Sequence, residues 1–253
     1  MSVEQSTTSQ RNTGFSIHLL TASGVLAGFF ALEAVFGGRI HGALLWLVVC
    51  QILDGIDGPI ARRFEVKVHA PHIDGHILDL VVDYVTCVVV PTVLLIKLQL
   101  VPDHLNTVIA ASILVSSALW FARVDQETDD AWFRGFPAMW NIVVPSFIIL
   151  DTSKGAVVAV CIIGCILQLS NVEFPHILRA RTLRRATVMI TTVYYSVFIV
   201  LSVFYPHGGR ILKDILLLAP MYLSLIVMWR FFWPDREIFG QRIAEASVVR
   251  ADG

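Results

Sequence analysis

DGIDGPIAR, at residues 54–62, and GHILDLVVD, at residues 75–83, place four aspartates inside two long apolar runs. A carboxylate within a bilayer-spanning helix costs about 2.5–3.5 kcal/mol on insertion scales. Four of them on consecutive helices therefore need compensation, and divalent metal ions commonly supply it to clustered carboxylates. The two segments indicate a metal-dependent enzyme that is embedded in a membrane.

The composition supports a membrane location. Of the 253 residues, 56% are hydrophobic and 15% are charged, and the mean hydropathy is +0.71. A soluble domain carries about 25% charged residues. Apolar runs of about 20 residues recur along the chain, and each is long enough to cross a hydrocarbon core of about 30 Å. The sequence therefore predicts an all-α fold, a polytopic integral membrane helical bundle.

We predict about eight transmembrane helices, at residues 16–36, 42–63, 76–97, 104–123, 138–151, 156–174, 186–205 and 211–232. The fifth is short and contains Pro145. Residues 1–15 are predicted to be a disordered cytoplasmic tail, residues 16–233 the membrane domain, and residues 234–253 a cytoplasmic C-terminal tail.

Basic residues set the predicted orientation. With eight spans and a cytoplasmic N-terminus, 14 of the 19 Lys and Arg residues fall on the cytoplasmic side, as the positive-inside rule requires. Both termini are therefore predicted to be cytoplasmic. Asp54 and Asp57 then lie near the cytoplasmic end of the second span, and Asp79 and Asp83 lie in the first turns of the third. A cytosolic substrate and a lipid can both reach that depth.

Helical spacing predicts that these acids form one pocket. Positions 54, 57, 58 and 61 share one helical face, and positions 75, 79 and 83 share another. Gly58, Ala61 and Gly75 are small and leave room for a ligand beside the backbone. Arg62 and Arg63 offer positive charge for a phosphate. A single intramembrane aspartate is as often structural as functional, but this combination favours a site.

The pattern resembles the signature of the CDP-alcohol phosphotransferases, D-x2-D-G-x2-A-R, a spacer, and G-x3-D-x3-D. Every signature position is present: Asp54, Asp57, Gly58, Ala61, Arg62, Gly75, Asp79 and Asp83. The spacer, residues 63–74, is a few residues longer than in most members. That length, with residues 133–137 and 140–141, resembles the branch of bacterial phosphatidylcholine synthases.

The resemblance implies a transferase of phospholipid biosynthesis. Such an enzyme moves the phosphatidyl group of CDP-diacylglycerol to choline and releases CMP. It would lie in the bacterial inner (cytoplasmic) membrane, with its active site facing the cytoplasm. By the same analogy we expect membrane phospholipids as partners, a homodimer, and no nucleic acid.

The resemblance also implies roles for the signature residues. Asp54, Asp57, Asp79 and Asp83 would bind Mn²⁺ or Mg²⁺, with two ions per site, and Asp83 would also be the catalytic base for the acceptor hydroxyl. The residues that would bind the CDP moiety are Asp54, Gly58, Ala61, Arg62, Gly75 and Asp79. His18, near the start of the first span, is interpreted as an interfacial residue rather than a ligand.

Aromatic residues are the candidates for choline binding, because ring faces attract quaternary ammonium through cation–π interactions. Acidic residues 127, 129 and 130 would concentrate a cation nearby. Aromatic residues at membrane interfaces more often form an anchoring belt, so each candidate has a structural alternative. The candidates are Tyr84, Trp132, Trp140, Tyr194 and Tyr195.

Three other functions fit part of the pattern. The acceptor alcohol can instead be serine, inositol or glycerol phosphate, and a phosphate-bearing acceptor needs a further basic pocket, for which Arg123 and Arg134 are candidates. Intramembrane prenyltransferases also bind a metal diphosphate through aspartates, but their two motifs lie far apart. A transporter with a cation relay fits intramembrane carboxylates, yet no second segment of the sequence resembles residues 54–83.

Overall fold

The computed structural model describes residues 7–176 and 184–233, which are almost entirely helical. These residues form ten α-helices and two short strands: α1 (Thr8–Phe36), α2 (Ile40–Arg63), α3 (Val66–His69), α4 (Gly75–Asp83), α5 (Val90–Lys97), α6 (Asn106–Phe121), β1 (Trp132–Arg134), α7 (Trp140–Leu150), α8 (Lys154–Gln168), β2 (Glu173–Pro175), α9 (Arg184–Val203) and α10 (Arg210–Phe232). A π-helical segment, Tyr84–Val89, joins α4 to α5, and a 3-10 turn, Asp103–Leu105, precedes α6.

Six helical segments of the described chain are long and apolar enough to cross a membrane: α1, α2, Gly75–Lys97, Asp103–Phe121, α9 and α10. The helices α7 and α8 are apolar but have only 11 and 15 residues, which is about 16 Å and 22 Å of helix. The predicted polytopic helical membrane protein is confirmed. The count of eight crossings stays a prediction.

The first helix begins earlier than predicted. The Thr7 hydroxyl accepts a hydrogen bond from the Gln10 backbone N–H at 3.3 Å, and the Gln10 side chain accepts one from the Thr7 N–H at 2.8 Å. This capping box satisfies donors that the first turn leaves unpaired. Residues 8–15, which we placed in a disordered tail, are therefore helical. Residues 1–6 and the predicted tail 234–253 lie outside the described residues.

The sixth predicted span ends early. Helix α8 stops at Gln168 because Ser170 closes a turn: its hydroxyl donates to the Leu167 carbonyl at 2.8 Å and accepts from the Val172 N–H at 3.2 Å. Such local bonds compete with helix continuation. The chain then enters β2, which pairs antiparallel with β1, and Arg134 lies opposite Glu173.

Helix α1 brings the acidic segments together. It packs along α2 on one side and against α3, α4 and α5 on the other. A Cβ at Gly24 would lie only 2.9 Å from Val82 Cγ1, so the missing side chain permits this close approach of α1 to α4. The acidic ends of α2 and α4 are thereby held side by side, and α9 covers α2 from another side.

Pro145 lies inside α7 without ending it. Proline has no N–H, so the Asn141 carbonyl four residues earlier loses its helical donor. Gln51 of α2 replaces that donor, because its Nε2 donates to the Asn141 carbonyl at 2.9 Å. This bond ties α7 to α2 about one turn before Asp54.

A buried polar network fixes α6, α7 and α8 to one another. Gln168 is fully buried; its Oε1 accepts from the Ser116 hydroxyl at 2.7 Å, and its Nε2 donates to Ser117 Oγ at 3.1 Å. Trp140 Nε1 also donates to Ser117 Oγ, at 3.0 Å. Polar networks of this kind specify one arrangement when every member is satisfied.

Candidate active site

Three carboxylates meet between α2 and α4. Oxygen atoms of Asp54, Asp57 and Asp79 all lie within 4.8 Å of one another. Asp57 is only 6% exposed, Asp79 is half-buried and Asp54 is exposed. Carboxylate oxygens are the donors that Mg²⁺ and Mn²⁺ prefer. The donor set and its close spacing therefore fit a divalent metal ion.

Asp83 is the fourth acid of this site. It does not belong to the group of three, but it lines the same cavity as Asp54, Asp57 and Asp79. The cavity measures about 10 Å³, which is room for about one water-sized particle. Thr21 and Gly24 of α1 complete its wall. We call this space the aspartate cavity.

Two local features define the ends of α4, the helix that carries Asp79 and Asp83. Asp74 caps α4, because its Oδ1 accepts from the backbone N–H groups of His76 at 2.9 Å and Ile77 at 3.2 Å. The π-helical segment begins directly after Asp83, and such segments occur frequently at functional sites. Thr86, within it, also lines the aspartate cavity. No local pattern in the sequence indicated this π-helical segment.

The predicted nucleotide residues lie on the loop side of the carboxylates, towards residues 63–74. A Cβ at Gly58 would lie 3.3 Å from Arg62 Nη1, so the arginine folds back over the glycine. Arg62 itself is exposed and forms no ion pair with another described residue. Gly75 faces His18 of α1, whose Cε1 lies 3.2 Å from the position of an added Cβ. The sequence pattern did not indicate the contact between Gly75 and His18.

Comparison with known proteins gives the family. A phosphatidylcholine synthase from Pseudomonas aeruginosa is 35% identical over 89% of this chain and 94% of its own length. The phosphatidylcholine synthases of Agrobacterium fabrum and Borreliella burgdorferi are 35% and 32% identical, over 71% and 83% of this chain and 75% and 90% of their own lengths. The chain belongs to the bacterial phosphatidylcholine synthase family. No protein-family model matches it, and the pairwise similarity confirms the resemblance drawn from the signature.

Two of the aromatic residues predicted to bind choline lie away from the aspartate cavity. Trp140 is fully buried, and its ring lies 2.7 Å from where a Cβ on Gly164 would be. Trp132 is 1% exposed, and the Arg230 guanidinium lies over its ring at 4.9 Å. A buried ring whose face is already covered offers no surface to a second cation. Trp132 and Trp140 are therefore core residues, and their assignment to choline stays a prediction.

The three tyrosines differ from one another. The Tyr84 hydroxyl donates to the Leu114 carbonyl at 3.0 Å, and the Tyr194 hydroxyl pairs with Ser146 at 3.0 Å. Tyr195 has no hydrogen-bond partner among the described residues, so of the three tyrosines it is the one whose hydroxyl is not already bonded to another described residue. It is half-buried in α9, the helix that packs against α2.

Sequence reasoning missed a cluster of ion pairs. This cluster gives one acid of the loop before β1 a partner within the protein. Arg230, at the end of α10, binds Glu173 at 2.7 Å and Asp130 at 3.0 Å while it covers Trp132. These residues are far apart in sequence, so no local pattern indicates their pairing. Asp130 is consequently paired within the protein rather than free to attract choline.

Arg123 and Arg134 do not form a free basic pocket. Both bind Asp125, at 3.0 Å and 3.4 Å. The hydrogen bonds from Arg123 lower the pKa of Asp125 to about 2, so this carboxylate stays charged at physiological pH. Asp125 balances one of the two positive charges, so this group of three residues keeps a net charge of +1.

Proposed function

We propose that this chain transfers the phosphatidyl group of CDP-diacylglycerol to choline, which forms phosphatidylcholine and releases CMP. The observation that carries the proposal is the convergence of Asp54, Asp57, Asp79 and Asp83 on one cavity. The shared name of the relatives supports phosphatidylcholine as the product.

We propose that the four aspartates hold Mn²⁺ or Mg²⁺. When bound, the cations neutralise charge that develops on the diphosphate during transfer. The family resemblance implies two ions per site, whose charge equals that of the four carboxylates, and the aspartate cavity has room for one of them. Asp54, Asp57 and Asp79 are the core of this set because their oxygen atoms are already clustered.

Asp83 is the proposed general base. One of its carboxylate oxygens takes the proton of the choline hydroxyl as the choline oxygen attacks the phosphorus of the phosphatidyl group. The bond from that phosphorus to the bridging oxygen breaks, and CMP leaves with the electron pair. An alcohol is a poor nucleophile at neutral pH, and a positioned base accelerates such a step by about 10²–10⁴. Arg62 is exposed beside Gly58, where its charge suits the phosphates of the nucleotide.

Tyr195 is the aromatic residue that we propose for the ammonium group of choline. Its ring packs edge-on against Tyr194, with 5.7 Å between the ring centroids. A quaternary ammonium gains from an aromatic face most strongly where water is excluded. The hydrogen bond between the Tyr194 hydroxyl and Ser146 holds the ring against which Tyr195 packs.

We place the protein in the bacterial inner membrane with the aspartate cavity open to the cytoplasm, because the basic residues concentrate on that side. Choline and CMP are water-soluble and reach the cavity from the same side. A homodimer is proposed by analogy with the family, and chemical cross-linking in native membranes tests it.

Membranes that contain the protein test the proposed function directly. They are incubated with CDP-diacylglycerol, Mn²⁺ and, in parallel, labelled choline, serine, inositol or glycerol phosphate. We expect label in lipid only with choline, loss of label when EDTA removes the metal, and recovery when Mn²⁺ is restored. Labelling with serine instead would keep the transfer chemistry and reject choline. No labelling with any alcohol would reject the function.

A further inference from the structure

His18 is a buried side chain without a partner. It is 6% exposed, and its Nε2 is completely covered yet makes no hydrogen bond within the described residues. Buried polar atoms in proteins are nearly always paired. An unpaired one beside a binding site indicates a partner that arrives with a ligand.

The location of His18 connects it with the aspartate cavity. Thr21, three residues later on the same face of α1, lines that cavity. The His18 ring lies against Gly75, the first residue of α4, about one helical turn before Asp79. His18 therefore lies next to the carboxylates, on the side of the connecting loop, residues 63–74.

The His18 ring can turn Nε2 towards Gly75 while it occupies the same space. In the structure the atom nearest to Gly75 is Cε1, at 3.2 Å from the position of an added Cβ. A 180° rotation about the Cβ–Cγ bond exchanges the positions of Cε1 and Nε2, and the ring occupies the same space in both orientations. Nε2 then faces the open space that the missing side chain of Gly75 leaves.

We propose that His18 binds the nucleotide part of the donor, through a hydrogen bond from Nε2 to an oxygen of its ribose–diphosphate. The proposal rests on the function proposed above. CMP must leave towards water while the acyl chains stay in the membrane, so the nucleotide occupies the loop side of the carboxylates, where Gly75 and His18 meet. Three features support this ligand: the unpaired nitrogen of His18, the space left by Gly75 and the adjacent aspartates.

Binding of CDP to the purified full-length protein, in detergent with Mn²⁺, tests this by equilibrium dialysis. His18→Phe keeps the ring and removes both nitrogens, and we expect about tenfold weaker CDP binding. The KM for CDP-diacylglycerol should rise similarly while the KM for choline stays unchanged. His18→Gln places an amide Nε2 near the lost nitrogen and should restore most of the affinity. Ile17→Ala, a neighbour that is 7% exposed, is the matched packing control and should leave CDP binding intact.

Each outcome decides the proposal. It is overturned if His18→Phe binds CDP as tightly as the wild type, or if His18→Gln is as weak as His18→Phe. A wild type that binds no CDP overturns the proposed function together with this inference. If His18→Phe does not fold, the wild type provides the test: CDP should shift the ¹⁵N resonance of His18 Nε2, identified by its loss in His18→Gln, and an unshifted resonance overturns the proposal.

Discussion

At the scale of single residues, Asp83 makes the sharpest prediction. Asp83→Asn removes the base and leaves Asp54, Asp57 and Asp79 clustered. We expect the rate of choline incorporation to fall by about 10²–10⁴, while CDP binding is largely kept. The measurements are labelled-choline incorporation and equilibrium dialysis with CDP.

Asp74→Asn is the matched control for Asp83→Asn. Asp74 caps the N-terminus of α4, the helix that ends with Asp83, and it lies outside the aspartate cavity. Asparagine caps a helix about as well as aspartate, so this variant should keep both stability and turnover. Wild-type turnover in Asp83→Asn would exclude Asp83 as the base.

Asp57 is the most buried of the clustered acids. Its replacement should therefore have the largest effect on the Mn²⁺ dependence of activity. Asp57→Asn replaces a charged ligand with a neutral one, so the Mn²⁺ concentration for half-maximal activity should rise by about tenfold or more. Asp129→Asn, at an exposed loop position, should leave the titration unchanged. If the two variants titrate alike, Asp57 is not a metal ligand.

Residue type indicated the role of the aspartates better than the role of the aromatic residues. Aspartate in an apolar helix has few structural uses, and the spacing of Asp54, Asp57 and Asp79 predicted the cluster that the structure shows. A tryptophan serves equally in a core, at an interface or around a cation, and its sequence neighbours do not distinguish these uses. Trp132 shows why, since the cation over its ring is Arg230 of α10, which is far from it in sequence.

At the scale of elements, α7 depends on a donor from another helix. Gln51→Met leaves the Asn141 carbonyl without its donor, because Pro145 has no N–H. We expect a loss of about 1 kcal/mol in the free energy of unfolding, or about 2–4 °C in the midpoint of thermal unfolding. Gln126→Met, which removes a side chain with no hydrogen bond to the described residues, should have little effect.

Pro145→Ala provides a second arm for this prediction. It restores an N–H at position 145, which can bond the Asn141 carbonyl within α7. Gln51→Met should therefore cost less in the Pro145→Ala background than in the wild type, and a double-mutant cycle measures the difference. Equal costs in the two backgrounds would mean that the Gln51 bond does not replace the missing helical bond.

The apolar pattern predicted where the helices lie but not how some of them end. The long spans follow from composition, because an unbroken apolar run has no other stable form in a bilayer. The early start of α1 depends on the pairing of Thr7 with Gln10, and the early end of α8 depends on Ser170. The strands β1 and β2 have three residues each and pair only because distant segments meet, so the sequence held no local signal for them.

At the scale of the whole molecule, the α7–α8 hairpin does not change which side of the membrane the ends of the other helices face. The start of α7 and the end of α8 lie at one level, because Trp140 and Gln168 both bond Ser117. The hairpin therefore returns to the side from which it enters, whether or not it crosses fully. The predicted cytoplasmic position of both termini does not depend on counting these two helices as spans.

Helix lengths predict that the turn of this hairpin reaches the outer face. Ser117 lies about 16 Å along α6 from Asn106, where α6 begins. Helix α7 starts at that level and runs for 11 residues, which is again about 16 Å. Residues 151–153 should therefore lie at the level of Asn106, although neither α7 nor α8 is long enough to span a bilayer alone.

Cysteine labelling in oriented membranes tests this arrangement. Ser153→Cys and His104→Cys, both at exposed positions, should react with a membrane-impermeant maleimide in spheroplasts. His72→Cys, exposed in the loop between α3 and α4, should react only in inside-out vesicles. The natural cysteines are buried or half-buried, which keeps the background low. If His104→Cys reacts in spheroplasts and Ser153→Cys does not, the hairpin stops within the membrane and the protein crosses it six times, because a turn at the outer face cannot be shielded from the reagent.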